Sequence, residues 1–201
     1  DVDRLQKHRL VLLEEVLGSI SVFSRLGTLL ACKLLSAASL RQRYCKTCDP
    51  QQTAFILFSS GSEGQPKGVR LSHHNMMSNV KQTALLFQFS SNDVILASLP
   101  PFHAFGLTVT CFLPLLEGIP ILCHADPTDV YTTAKAIARH KVTAIFGTSS
   151  FYRLYIRNSK VTREDLDSAY LIIAGAEKLQ ADVRKKFEAK FGKHIYEGYG
   201  A

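Results

Sequence analysis

Over the first forty or so residues, apolar side chains return every three or four positions; from residue 53 onward the pattern changes to short continuous apolar runs. The first rhythm predicts two amphipathic helices, roughly Asp3 to Leu17 and Ile20 to Gln42, with Ile20, Phe23, Leu26, Leu30 and Leu34 on one stripe. Tyr44 to Gln52 reads as a linker, with Asp49-Pro50 as its turn signal. The second rhythm predicts buried strands at Thr53–Ser59, Asp93–Leu99, Ile119–Cys123, Thr143–Gly147 and Tyr170–Ala174, and a last one at His194–Tyr199. Helical stretches fall between them, at His73–Phe89, Phe105–Leu116, Asp129–Lys141, Ser149–Asn158 and Gln180–Phe191. Ser72 and Asp129 are N-cap residue types at two of those starts.

Strands that alternate with helices need crossover connections, so the expected class is α/β: a mostly parallel sheet with helices on both faces, preceded by N-terminal helices. Residues 1–48 are expected to form a helical segment and residues 49–201 an α/β domain. In such sheets ligands bind beyond the carboxyl ends of the strands. Each motif that carries chemistry here follows a predicted strand.

Composition narrows the picture only a little. With 46% hydrophobic residues the chain is an ordinary globular sequence. The net charge of +7 favours anionic ligands. Its basic clusters, Arg41, Arg43 and Lys46, then Arg184, Lys185 and Lys186, lack the interleaved aromatics of a nucleic-acid platform and read as solvated faces. Five cysteines without framework spacing, including the lone Cys45–Cys48 pair, suit reduced thiols rather than disulfides or zinc. The adjacent His73 and His74 point to different faces and do not make a metal pair. The Leu17–Leu35 stretch is interrupted by Arg25 and Lys33, which makes an amphipathic helix rather than a membrane span. Packing against its own domain is the default for such a helix; peripheral contact with an anionic membrane surface is the alternative. A start at Asp1 and an end at Ala201 inside a Gly-Tyr-Gly run read as a piece of a longer protein.

The most specific stretch is Phe58-Ser59-Ser60-Gly61-Ser62-Glu63-Gly64-Gln65-Pro66-Lys67-Gly68. A strand ending in hydroxyls and glycines presents backbone N–H groups and serine side chains to phosphate oxygens, and Lys67 adds a compact positive charge. No Gly-x-x-x-x-Gly-Lys-Ser/Thr string occurs, so this is not a Walker loop. Glu63 would repel a nearby triphosphate unless it faces away, pairs with a cation or meets phosphate through a metal. Three further elements follow strands. Pro100-Pro101-Phe102-His103-Ala104-Phe105-Gly106 sets a histidine between aromatics at the tip of a stiff turn. Ala174-Gly175-Ala176-Glu177-Lys178-Leu179 is a small-residue turn that permits close backbone approach. Tyr196-Glu197-Gly198-Tyr199-Gly200 ends the chain with an aromatic between glycines.

In this order the four elements resemble the acyl-adenylate-forming enzymes: acyl-CoA synthetases, luciferases and peptide-synthetase adenylation domains. The resemblance implies that ATP and Mg²⁺ are used. Ser59, Ser60, Gly61, Ser62, Glu63, Gly64 and Lys67 would cradle the phosphates, and Lys67 and His103 would serve the chemistry. Gly175, Ala176 and Glu177 would run along adenine, with Gly198, Tyr199 and Gly200 on its other side. The family's metal-associated Glu is expected after Ala201, so no metal ligand is assigned within the chain. The ribose-binding Asp, the hinge and the mobile C-terminal domain are expected there too, and the isolated chain is expected to turn over negligibly. The wording of Phe58–Gly64, His103–Thr108, Phe146–Ser149 and Ala174–Leu179 is similar to the acyl-acyl-carrier-protein synthetase branch fused to a 2-acylglycerophosphoethanolamine acyltransferase. That branch implies a fatty acid, an acyl carrier protein and a lysophospholipid as partners, at the cytoplasmic side of the bacterial inner membrane. An acyl-CoA synthetase and a non-catalytic nucleotide- or carrier-binding module are the alternatives.

Overall fold

A computed structural model of the chain describes residues 13–45, 47–59 and 66–200. It divides into two compact units, Asp1–Asp49 and Pro50–Ala201. In the first unit three helices are described: α1 (Leu13–Ser19), α2 (Val22–Leu34) and α3 (Ala37–Tyr44). The single helix predicted from Ile20 to Gln42 is therefore two. The break comes from Ser36, whose side chain accepts from the Ser39 N–H and caps α3. Ser21 caps α2 in the same way, through the Ser24 N–H. Neither α2 nor α3 has a buried residue, and Phe23 and Leu34 are 87% and 78% exposed. The predicted helix start at Asp3 lies outside the described residues. Among the described residues no helix is long and apolar enough to cross a membrane.

The second unit opens with a hairpin. Strand β1 (Thr53–Ser59) pairs antiparallel with β2 (Lys67–Ser72), in a register that sets Ser59 opposite Lys67. Strand β2 was not predicted, and Lys67, expected within a loop, opens it. Helix α4 (His73–Phe87) starts at Ser72 through a reciprocal capping box: the Asn75 N–H donates to Ser72 Oγ, and the Ser72 N–H donates to Asn75 Oδ1.

Five strands then build one wholly parallel sheet: β3 (Ile95–Ala97), β4 (Ile121–Cys123), β5 (Ala144–Gly147), β6 (Leu171–Ala174) and β7 (Tyr196–Glu197), in the order β4-β3-β5-β6-β7. Between them lie α5 (104–117), α6 (Val130–His140), α7 (Ser149–Arg157) and α8 (Ala181–Phe191). The predicted strands were longer, because their flanks use single backbone bonds and side chains instead of a ladder. At the start of β3, for example, the Val94 N–H donates to Thr143 Oγ1.

Successive residues of the inner strands β3, β5 and β6 feed opposite cores. Leu96, Ile145, Ile172 and Ala174 join Ala134, Ile137, Tyr152, Val183 and Phe187 of α6, α7 and α8 on one face. Ile95, Ala144, Phe146 and Ile173 join Val80 of α4 and Val109 and Leu113 of α5 on the other. A period of two with both faces buried accounts for the continuous apolar runs in the sequence. Each fully buried Leu, Ile or Phe contributes about 1.5–3 kcal/mol relative to exposure.

The order also fixes where the chain reverses. From β3 it turns through α5 to β4 on one side; from β5 it turns through α7 to β6 on the other. Right-handed crossovers require helices on opposite faces for opposite directions, and α5 and α7 obey this. The carboxyl ends of the neighbouring strands β3 and β5 thus flank a topological switch point, where connections diverge and leave a crevice.

Candidate functional site

A cleft of about 220 Å³ lies at that crevice, lined mainly by Leu99, Pro100, Phe102, His103, Phe105 and Gly106 after β3, Thr148 and Phe151 after β5, and Ala176 after β6. The turn after β3 is held tightly. The His103 N–H donates to the Pro100 carbonyl at 3.2 Å, and the Leu107 N–H returns to the His103 carbonyl at 2.9 Å. His103 is the N-cap of α5: its Nδ1 accepts from the Phe105 N–H at 3.3 Å, which leaves the neutral ring's proton on Nε2. Gly106 is needed here, because a Cβ would stand 2.3 Å from the Pro100 carbonyl oxygen. Helix α5 then runs through a π-helical stretch, Leu107–Phe112, between its α-helical turn Ala104–Gly106 and its α-helical end Leu113–Glu117. Such bulges recur at functional sites.

Phe105 joins the second and third motifs. Its ring meets Phe146 edge-on with centroids 6.2 Å apart, and a Cβ on Gly175 would come within 2.7 Å of it. The space left by the missing side chain at Gly175, expected to face adenine, is taken up by Phe105. The next residue, Ala176, has φ of +65°, a left-handed conformation uncommon for alanine. Glu177 turns back to α7, where its Oε1 accepts from the Ser150 N–H at the helix start. Burial would raise this carboxyl, but hydrogen bonds from Ser150 and Thr148 and the nearby Arg153 hold it below the usual range.

The fourth motif joins through the sheet edge. The Gly198 N–H donates to the Ala174 carbonyl at 2.8 Å, continuing β7 alongside the end of β6. Glu197 accepts from the Leu179 N–H at 2.9 Å and fixes the turn after β6. Tyr199 is 96% exposed beyond it, and Gly200 has open space around its Cα. His103, Gly175, Ala176, Glu177, Gly198 and Tyr199 therefore gather at the carboxyl end of one sheet. The first motif is described only at its rims: Ser60 to Gln65 lie outside the described residues, and Lys67 is an exposed residue of β2. The hairpin meets α5 through an edge contact between Phe55 and Phe112, centroids 5.1 Å apart. Thr148 and Phe151 were not singled out individually as lining residues. Their role depends on β3 and β5 being neighbours, which no local signal reveals.

Among the described residues no three His, Cys, Asp or Glu side chains converge on a metal position. Cys45 and Cys48 are free and exposed.

The family model for AMP-binding enzymes matches residues 5–201, and the chain belongs to that family. The match includes the helical segment, to which no motif gave a family assignment. A long-chain-fatty-acid–CoA ligase from Yersinia pestis is 35% identical over 152 residues, covering 74% of this chain and 27% of that protein. The chain thus spans about a quarter of the length of this relative. Among solved structures, ATP-bound MatB from Rhodopseudomonas palustris aligns with a TM-score of 0.67 at 28% identity, over 76% of this chain and 30% of that one. A fatty acyl-adenylate ligase from Legionella pneumophila, in complex with acyl adenylate and pyrophosphate, aligns with a TM-score of 0.67 at 26% identity, over 77% and 30%. The parallel sheet with helices on both faces is the adenylation-domain fold of these proteins.

Proposed function

We propose that this chain is the carboxylate- and nucleotide-binding part of a ligase that activates a long-chain fatty acid with ATP. The observation that carries the reading is the cleft at the switch point, apolar along Leu99, Phe102, Phe105 and Phe151 and tipped by the His103 imidazole. An apolar wall suits an acyl chain, and an Nε2–H donor suits the carboxylate at its end. The relatives named as fatty-acid ligases support that substrate class.

In the proposed reaction a carboxylate oxygen attacks the α-phosphorus of ATP. A P–O bond forms, the bond to the β-phosphate oxygen breaks, and pyrophosphate leaves with acyl-AMP remaining. Holding the carboxylate in line lowers the barrier of such a step, and the tightly held Pro100–Gly106 turn supports that role for His103. Lys67 and the hydroxyls of Ser59, Ser60 and Ser62 would neutralise the departing pyrophosphate. Adenine would lie along the backbone of the Ala176–Glu177 turn, with Tyr199 over its face. The described residues supply no ligand set of their own for Mg²⁺, which would arrive with the triphosphate.

A thiol acceptor then takes the acyl group and AMP leaves. The motif wording favours acyl carrier protein, with the activated chain passed to a lysophospholipid at the inner membrane. Coenzyme A is the second reading, favoured by the name of the Yersinia relative. The domain reading goes with this: residues 1–48 as a helical segment, 49–201 as part of the adenylation domain.

ATP–pyrophosphate exchange by the full-length protein tests the proposal. Exchange should depend on added fatty acid and fall about a hundredfold in Lys67→Ala, the scale of losing one preorganised donor at a developing charge. Exchange that ignores fatty acids of every length would remove the substrate assignment.

A further inference from the structure

The ligase reading leaves the helices of the first unit without a role. Val22, Phe23, Leu26, Leu29, Leu30 and Leu34 of α2 are all exposed, and no residue of that helix is buried. At about 100° per residue these six fall within an arc of about 140°, while Ser24, Thr28 and Cys32 lie on the opposite side. An apolar face this broad is unfavourable in water and marks a surface that something covers.

Charge distinguishes the possible covers. From Val16 to Cys48 the sequence holds Arg25, Lys33, Arg41, Arg43 and Lys46 but no Asp or Glu. Among the described residues no carboxylate pairs with Arg25, Lys33, Arg41 or Arg43. Arg25 donates to the Leu17 carbonyl, and the Arg43 guanidinium stands 5.7 Å from the centre of the exposed Tyr44 ring. A second copy of the chain laid on the stripe would bring like charges together. An anionic lipid surface instead offers an apolar layer beneath a negatively charged one, which suits both features. Lys33 falls within the apolar arc in the last turn, where its stem can follow the acyl layer while its ammonium reaches the head groups. Tyr44 has the apolar ring and polar tip of an interfacial residue. With thirteen residues α2 is about 20 Å long, too short for a hydrocarbon core of about 30 Å. It would therefore lie in the membrane plane and not across it.

We propose that α2 and α3 bind the surface of an anionic membrane, with the α2 stripe among the acyl chains and the basic side chains on lipid phosphates. Such binding goes beyond the ligase reading and stands without it, since it needs neither ATP nor fatty acid.

The test is vesicle binding by the full-length protein carrying Phe23→Trp. Residues 1–201 contain no tryptophan, so the added emission, read as the difference from the unmodified protein, reports on α2 alone. Vesicles of phosphatidylcholine mixed with phosphatidylglycerol should shift it to the blue, and brominated acyl chains should quench it; vesicles of phosphatidylcholine alone should do neither. Adding Arg41→Ala with Arg43→Ala should raise the lipid concentration for half the shift about thirtyfold, at about fivefold for each basic residue near the surface. Added salt should weaken binding in the same direction. Adding Leu30→Asp instead should abolish the shift and leave the melting curve unchanged. An equal shift with both kinds of vesicle, or none with either, would overturn the proposal. So would a lower melting temperature in the Leu30→Asp variant, which would mean that the stripe packs against the protein itself. Concentration-dependent self-association that Leu30→Asp removes would assign the stripe to a second copy and overturn it too.

Discussion

Gly106 and Asp93 mark the two ends of the sheet, and each does a different job. Gly106 has ordinary helical dihedrals, so its value is spatial: the Pro100 carbonyl occupies the place of a side chain. Gly106→Ala should destabilise the fold by about 1–3 kcal/mol, the usual cost of overpacking, and displace the turn that holds His103. Thermal melting together with fatty-acid KM would detect both effects. Asp93 is buried at the amino ends of β3, β5 and β6, where it accepts from the Ser90 N–H, Ser90 Oγ, Thr143 Oγ1 and Tyr170 Oη. Burial would raise its carboxyl, but those hydrogen bonds outweigh it and hold the carboxyl below its ordinary value of 3.8. A folded value below the unfolded one contributes stability that is full above pH 3.8 and is lost as pH falls through the lowered value. Asp93→Asn should therefore be less stable at neutral pH and show a flatter acid limb below the ordinary carboxylate value in denaturant titrations. An unaltered acid limb would remove Asp93 from that role.

At the scale of elements, α7 shows how one helix is anchored from both sides. Thr148 caps its start, Glu177 adds a carboxylate there, and Tyr152 Oη donates to the Ile173 carbonyl at 2.7 Å from within it. Its end is held by Lys190 of α8, whose Nζ donates to the carbonyls of Tyr155, Ile156 and Asn158 at 2.9, 3.1 and 2.6 Å. Lys190→Met would leave those carbonyls without this partner. The expected cost is about 1–3 kcal/mol in denaturant unfolding, with faster amide exchange over residues 155–158. Unchanged exchange there would show that the clamp is dispensable. The buried elements were the legible ones: Ala144-Ile145-Phe146 and Leu171-Ile172-Ile173 read as strands because both of their faces are covered. Strand β2 was not legible, since Lys67-Gly68-Val69-Arg70 is exposed, begins beside a glycine-rich loop and lacks a clean alternation. The Ser36 break was hidden because only Leu35 and Ser36 separate α2 from α3, with no Gly or Pro between them. The π-helical stretch of α5 leaves no mark in a period of three or four.

For the whole molecule, the decisive fact is the strand order. Motifs about seventy residues apart, at His103 and Gly175, meet because β3 lies beside β5 and β5 beside β6. The sequence pointed to both motifs by their place after strands, yet the cleft that both line needed the parallel order to appear. Thr148 and Phe151 acquire their positions only from that order.

In the proposed reaction a carboxylate oxygen attacks the α-phosphorus. The most direct measurement uses the full-length protein with fatty acid labelled with oxygen-18 in its carboxylate, ATP and a thiol acceptor. If the carboxylate attacks there, the AMP released must contain one labelled oxygen, and the pyrophosphate none. Label in inorganic phosphate, with ADP as the nucleotide product, would mean attack on the γ-phosphorus and would contradict the proposed reaction.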